Sequence, residues 1–112
     1  MIDSYSFGKI VVDGKAYTSD VIIYPDRVDD SWWRKSGHLL QRGDLTDVIA
    51  YHPEVLIVGT GAYGLMKILD ETKQLLESTG IALIVEETKA ACDTYNRLKE
   101  EKKVVAAFHL TC

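Results

Sequence analysis

Gly59-Thr60-Gly61-Ala62-Tyr63-Gly64 sets three glycines at the spacing of a phosphate-cradling loop, directly after the apolar run Val55-Leu56-Ile57-Val58. Glycines so placed let the backbone approach a pyrophosphate, whose charge meets the exposed N–H groups of a following helix. Glu86 stands at the end of the next apolar run, where a dinucleotide-binding unit keeps its ribose-holding acid. This chemistry requires the helix to begin at the loop. Asp70, however, is a good N-cap for a shorter helix, which leaves Leu65 to Leu69 as a connector and turns the helix dipole away. The sequence thus argues against a dinucleotide cofactor and leaves two readings of the loop, a site for another small anion or metabolite at Gly59, Thr60, Gly61 and Tyr63, or a structural strand-exit turn.

Two other segments carry reactive groups. Trp32-Trp33-Arg34-Lys35-Ser36-Gly37-His38 gathers aromatic faces that stack, a guanidinium that grips carboxylate or phosphate with two prongs, and an imidazole that exchanges protons near neutrality. Trp33, Arg34 and His38 can therefore close over an anion. The alternative is a loop pinned by one buried tryptophan, with Arg34 paired to an acidic neighbour. His109-x-x-Cys112 joins an imidazole and a thiol, both metal ligands and reactive groups. Four-ligand zinc would need two more groups from His38, His52, Cys92 or an acid, and no short ligand pair supplies that spacing, so neither a metal nor a cofactor is assigned. His109, in a predicted strand, fits a hydrogen-bonded pocket residue, His52 ends a helix, and Cys92 is a small buried residue.

Composition bounds the partners. With 112 residues, 46% apolar and 27% charged, the chain suits one domain, residues 1–112, with a single core. A net charge of −4 argues against a nucleic-acid binder, which needs clustered Lys and Arg. No apolar run approaches the ~20 residues of a membrane helix, so no membrane partner is expected. The start Met1-Ile2-Asp3-Ser4-Tyr5 lacks the regions of a secretion signal, and two cysteines suggest free thiols; both predict a cytoplasmic protein.

The elements that must position these groups follow from local patterns. Phe7 to Val12 and Lys15 to Thr18 flank Asp13-Gly14, a strong hairpin signal because both turn residues need positive φ. Asp20 to Tyr24, ended by Pro25-Asp26, reads as a third strand, so the first quarter is expected to be a β-meander. Arg27 to Arg42 has no period and is expected to be a long ordered loop with one short strand. Asp44 caps a helix to about Tyr51, with Leu45, Val48 and Ile49 inward and Pro53 as its stop. Val55 to Val58 and Ile81 to Val85 are short apolar runs of the kind buried on both faces of a sheet. Between them Leu65, Ile68, Leu69, Thr72, Leu75 and Leu76 fall on one side of a helix that closes at Gly80, with Leu65 to Leu69 outside it if Asp70 is the cap. A last helix capped by Thr88 turns Ala91, Tyr95 and Leu98 inward, its end Glu100-Glu101-Lys102-Lys103 reads as a solvated face, and Val104 to Leu110 forms the final strand.

Phe7-Gly8-Lys9-Ile10, Asp20-Val21, Trp33-Arg34, Gly37-His38, the Glu54-to-Gly61 strand and loop, Tyr95-Asn96 and the ending Ala107-Phe108-His109-Leu110-Thr111-Cys112 occur in a telling order. In that order the chain resembles, over nearly its whole length, the small domain of unknown function shared by the adipogenesis-associated domain protein and mitochondrial complex I assembly factor 3. The resemblance implies an α/β three-layer fold with a central mixed sheet, which agrees with the N-terminal meander and C-terminal β-α-β-α-β half read from the residues. It implies no catalytic residues.

Three readings follow. The leading one is a domain without established catalysis that binds a small anionic molecule or metabolite at Gly59, Thr60, Gly61 and Tyr63, with Trp33, Arg34, His38 and His109 beside them. The second is an assembly or interaction module working on a protein partner through an exposed apolar patch. The third is a small enzyme with His38 or His109 as general base.

Overall fold

A computed structural model describes residues 1–112. Asp13 (φ 48°) and Gly14 (φ 80°) form the expected tight turn. It joins the second and third strands of a three-stranded antiparallel meander, β1 (Ile2–Ser6), β2 (Lys9–Val12) and β3 (Lys15–Tyr17). Gly8, at φ 78°, makes the first turn, so Phe7 and Gly8 lie between strands.

The segment expected as the meander's third strand belongs elsewhere. β4 (Val21–Ile23) lies in the central sheet, antiparallel to the last strand of the chain. The physical reason is in the residues: Val21, Ile22 and Ile23 are all buried, and a continuous apolar run needs cover on both faces. β5 (Val28–Asp29) pairs with β4, and β6 (Leu39–Leu40) supplies a second short strand within the expected loop. A 3-10 turn, Arg42–Leu45, then leads into α1 (Thr46–Tyr51). Asp44 does not cap α1 as expected; its carboxylate accepts the backbone N–H groups of Gln41 (2.9 Å) and Lys35 (3.2 Å), tying the loop to the turn.

β7 (Val55–Thr60) runs into the glycine loop, and β8 (Lys67–Ile68) pairs in parallel with β6. α2 (Asp70–Ser78) starts only then, with Leu69 at its cap position. The late start is as expected; Asp70 is its first helical residue, where a negative charge suits the dipole. β9 (Ala82–Glu86), α3 (Thr88–Leu98) and β10 (Val104–His109) complete the chain.

The central sheet has the order β5-β4-β10-β7-β9, with β10, β7 and β9 parallel and β4 and β5 antiparallel. Side-chain alternation divides the core. Val55, Ile57, Val104, Ala106 and Phe108 face Ile10 of the meander and Ala91 and Tyr95 of α3. Leu56, Val58, Val105 and Ala107 face Leu40, Val48 and Leu76 on the other side. Three layers result, and each fully buried side chain of this size contributes roughly 1.5–3 kcal/mol.

Candidate functional site

Sheet register brings an acid to a histidine. Phe108 stands opposite Val21, so the next pair outward is His109 and Asp20, on the face shared by Ala107 and Ile22. Thr60 flanks His109 on the other side. The Trp32–His38 segment folds back over this end. Trp32 is buried and its Nε1 donates to the carbonyl oxygen of Asp44 (3.0 Å), while Arg34 stacks over its ring at 4.6 Å.

Arg34 then meets the strand pair. Its Nη2 lies 2.8 Å from Asp20 Oδ2, and His109 Nδ1 lies 2.8 Å from the same oxygen. Asp20 Oδ1 accepts the Leu110 N–H at 2.8 Å. Burial pushes the Asp20 carboxyl up, but hydrogen bonds from His109, the Leu110 N–H and Arg34 outweigh it and hold the group below its usual range. Arg34 Nη2 also lies 3.0 Å from His109 Nδ1. One ring nitrogen cannot donate to a carboxylate and accept from a guanidinium at once. With Asp20 accepting from both, the imidazole carries a proton on Nδ1, and its Nε2 lies 3.5 Å from Thr111 Oγ1. That separation is too long for an activated hydroxyl. Arg34 is thus engaged by an acid of its own chain, with Nε and Nη1 buried and without partners.

The glycine loop is filled by the chain itself. A Cβ on Gly59 would come within 2.8 Å of Phe108 and of the Thr88 hydroxyl. At Gly61 it would meet the carbonyl oxygens of Thr111 and Cys112 at 2.7 and 2.8 Å and His109 Cδ2 at 2.8 Å. The loop N–H groups are also used: Gly61 donates to Thr88 Oγ1 (2.9 Å) and Ala62 to the Thr111 carbonyl oxygen (2.7 Å). Thr88, expected to cap α3, instead donates a hydrogen bond from its own hydroxyl to the His109 carbonyl oxygen at 2.6 Å, and Glu87 takes the cap position.

The remaining sequence-derived residues gather at the same end without converging. His38 is exposed, its ring 6.0 Å from that of His109, and its Nε2 lies 4.0 Å from Cys112 Sγ. Trp33 is 75% exposed, and Tyr63, 68% exposed, packs against Phe7. No group of three His, Cys, Asp or Glu side chains comes together as a metal site.

Clefts open elsewhere on the surface, and two of them bring basic side chains together. A crevice of about 390 Å³ lies between the carboxyl ends of β7 and β9, lined by Thr60, Tyr63, Lys67, Lys73, Glu86 and Glu87 among others. A larger one, about 590 Å³, sits at the opposite end of the sheet, among Tyr24, Arg27, Tyr51, Tyr95, Lys99, Lys102 and Lys103. Arg27 stacks 4.0 Å over Tyr24, and Lys103 lies 4.5 Å over Tyr51 with its Nζ donating to the Tyr51 carbonyl oxygen. Tyr24 and Tyr95 are buried, yet their hydroxyls make no hydrogen bond within the chain and face the cleft. Burial pushes the Tyr95 phenol up to about 12 and raises that of Tyr24, so both remain O–H donors.

A family model described as protein of unknown function (DUF498/DUF598) matches residues 2–109. The chain belongs to this family. The resemblance read from the residues is borne out, and the DUF498/DUF598 description carries no function and no catalysis. A "13 kDa major membrane protein" of Francisella tularensis subsp. holarctica is 32% identical over 88 residues, 79% of this chain and 66% of that protein, just under two thirds of its length. The crystal structure of the conserved hypothetical protein PH1505 from Pyrococcus horikoshii is similar with TM-score 0.86 and 31% identity, covering 100% of this chain and 99% of that one. An outer membrane protein from Bartonella henselae gives TM-score 0.84 and 25% identity, covering 99% and 94% of the two chains. In this member of the family no helix is long and apolar enough to cross a membrane.

Asp20 and the tyrosine cleft were missed in the sequence. Asp20 follows Ser19 at a strand edge and looks like turn chemistry; only the strand register shows its partner. The cleft draws Tyr24, Tyr51, Tyr95 and the Lys102-Lys103 pair from separate segments, and the one available signal, that lysine pair, also fits a solvated face.

Proposed function

We propose that this DUF498/DUF598 member is a small-anion-binding domain whose ligand sits in the 590 Å³ cleft at the amino ends of the parallel strands. One observation carries the reading: four basic side chains line that cleft against two acidic ones, Asp13 and Asp26, in a chain whose net charge is −4. The free Tyr24 and Tyr95 hydroxyls add directional donors, and charged donors to an oxyanion form the stronger class of hydrogen bond. Lys102 is in no ion pair, and Arg27, 4.0 Å over the Tyr24 ring, has only an exposed 3.4 Å contact with Asp26, a class of pair that water already weakens, so both present charge to the cleft. At the glycine-loop end, where the leading expectation put the anion, Arg34 is already neutralised by Asp20; that end instead locks the loop, the Trp32 segment and the chain's last residues together.

Calorimetry with inorganic phosphate and glycerol phosphate tests this. Binding should weaken at least tenfold in the Lys102→Ala, Lys103→Ala double variant and fall steeply with salt. Equal affinity in the double variant would remove the cleft as the site.

A second reading, the interaction module, is favoured by Phe7 and Tyr63, in tilted contact at 6.0 Å yet 57% and 68% exposed. Its test is loss of a defined complex in a Phe7→Ser, Tyr63→Ser variant that keeps its melting temperature. We assign the domain to the cytoplasm; the free thiols Cys92 and Cys112 support this, and fractionation against a membrane marker checks it.

A further inference from the structure

The crevice at the carboxyl ends of β7 and β9 has a charge arrangement that the chain does not resolve internally. The connection after β7 passes through α2 over the face of Leu56 and Val58, while the connection after β9 passes through α3 over the opposite face, with Ala91 and Tyr95. Departing to opposite faces, the two chain paths leave a gap between the strand ends, the position where ligands collect in open α/β sheets. Lys67 and Lys73 line it on the α2 side, and Glu86 and Glu87 on the β9 side. None of these four charges is in an ion pair. Moreover, Glu86 Oε1 is buried with no hydrogen-bond partner. A carboxylate oxygen shielded from water and without a donor is costly unless something supplies one.

Opposite charges that share a crevice of about 390 Å³ and yet do not neutralise each other are complementary to a ligand with both signs. We infer that this crevice is a second ligand site, independent of the anion cleft, that takes a small zwitterion of the amino-acid class. The ligand's ammonium group donates to Glu86, with Glu87 beside it, and its carboxylate lies between Lys67 and Lys73. Thr60 holds the Glu86 backbone in place, its Oγ1 donating to the Glu86 carbonyl oxygen at 3.2 Å. Tyr63, mostly exposed at the rim, offers a face and a hydroxyl to the ligand's carbon chain.

The test uses three probes of one carbon skeleton: γ-aminobutyrate with both charges, butyrate with only the acid and butylamine with only the amine. Amide NMR titration of the whole chain should show γ-aminobutyrate shifting Thr60, Tyr63, Glu86 and Glu87, while the other two leave those signals in place. Glu86→Gln keeps the side-chain shape and should weaken the response roughly tenfold or more, as expected for a lost charged hydrogen bond. The Lys102→Ala, Lys103→Ala variant should respond like the parent, which separates this site from the anion cleft. Butyrate or butylamine matching γ-aminobutyrate would overturn the zwitterion assignment, as would an undiminished response in Glu86→Gln. Silence of the crevice signals toward all three probes would overturn the site.

Discussion

Replacing Gly61 with alanine separates two explanations of the glycine loop. If the glycine serves a ligand's approach, the unbound protein has open space there and tolerates a methyl group. The structure instead puts that methyl 2.7 and 2.8 Å from the carbonyl oxygens of Thr111 and Cys112, at a φ of 104°. A non-glycine residue in that region costs about 1–3 kcal/mol. The two oxygens are backbone atoms, so relief must come by moving the end of β10 outward, which stretches the 2.7 Å bond from Ala62 N–H to Thr111 and forfeits about 1 kcal/mol. Together Gly61→Ala should lose about 2–4 kcal/mol, or roughly 10–20 °C in melting temperature for a chain of this length. Urea denaturation is the assay, with an unchanged m-value showing that the unfolded state is unaltered. Gly37→Ala and Gly43→Ala are controls, since a Cβ at either meets nothing within 4 Å. A loss below about 0.5 kcal/mol in Gly61→Ala, no larger than a typical surface change, would refute the packing argument.

Thr88→Val removes the hydroxyl that accepts from Gly61 and donates to His109; a loss of about 2–3 kcal/mol is expected, with faster hydrogen exchange at the Gly61 amide. Asp20→Ala leaves Arg34 buried without its acid and should cost about 3–5 kcal/mol by chemical denaturation. Because the Asp20 carboxyl is held below its ordinary value, its contribution is present above the unfolded value near 3.8 and lost as pH falls through the lower folded one; Asp20→Asn should flatten that acid limb of the stability curve. Tyr95, raised from 10.0 to about 12, works in the opposite sense. Its contribution is whole below pH 10 and disappears as pH rises toward 12, so ultraviolet titration should lose its component near 12 in Tyr95→Phe.

The parts legible in the sequence are those decided by near neighbours. Asp13-Gly14, the late start of α2 near Asp70, the inward face of α3 and the apolar runs of β7, β9 and β10 each follow from a few adjacent residues. What escaped depends on distant pairing. Val21 to Ile23 look the same whether they extend a meander or enter a central sheet, and only cover from Leu40 on one side and Ile10 on the other decides it. Asp44 and Thr88 both had the chemistry of a cap, but each found a better-placed partner across a loop, because a short polar side chain takes whichever backbone group tertiary packing presents. Arg34 was read with both outcomes in view, and the acid it meets lies in a strand that local pattern could not place.

The sheet's order also has a consequence for how the chain is made. β10, the last of these strands in chain order, lies at the centre, with β4 on one flank and β7 on the other. Before residues 104–109 arrive, β4–β5 and β7–β9 are two half-sheets, each with an open edge and uncovered apolar faces. The central sheet therefore cannot close piecewise: β4 and β7 are joined only through β10, a long-range pairing that slows closure and lengthens exposure to aggregation. A chain stalled on the ribosome just before Val104 should therefore stay bound by chaperones, and its release should require residues 104–109 to be outside the exit tunnel.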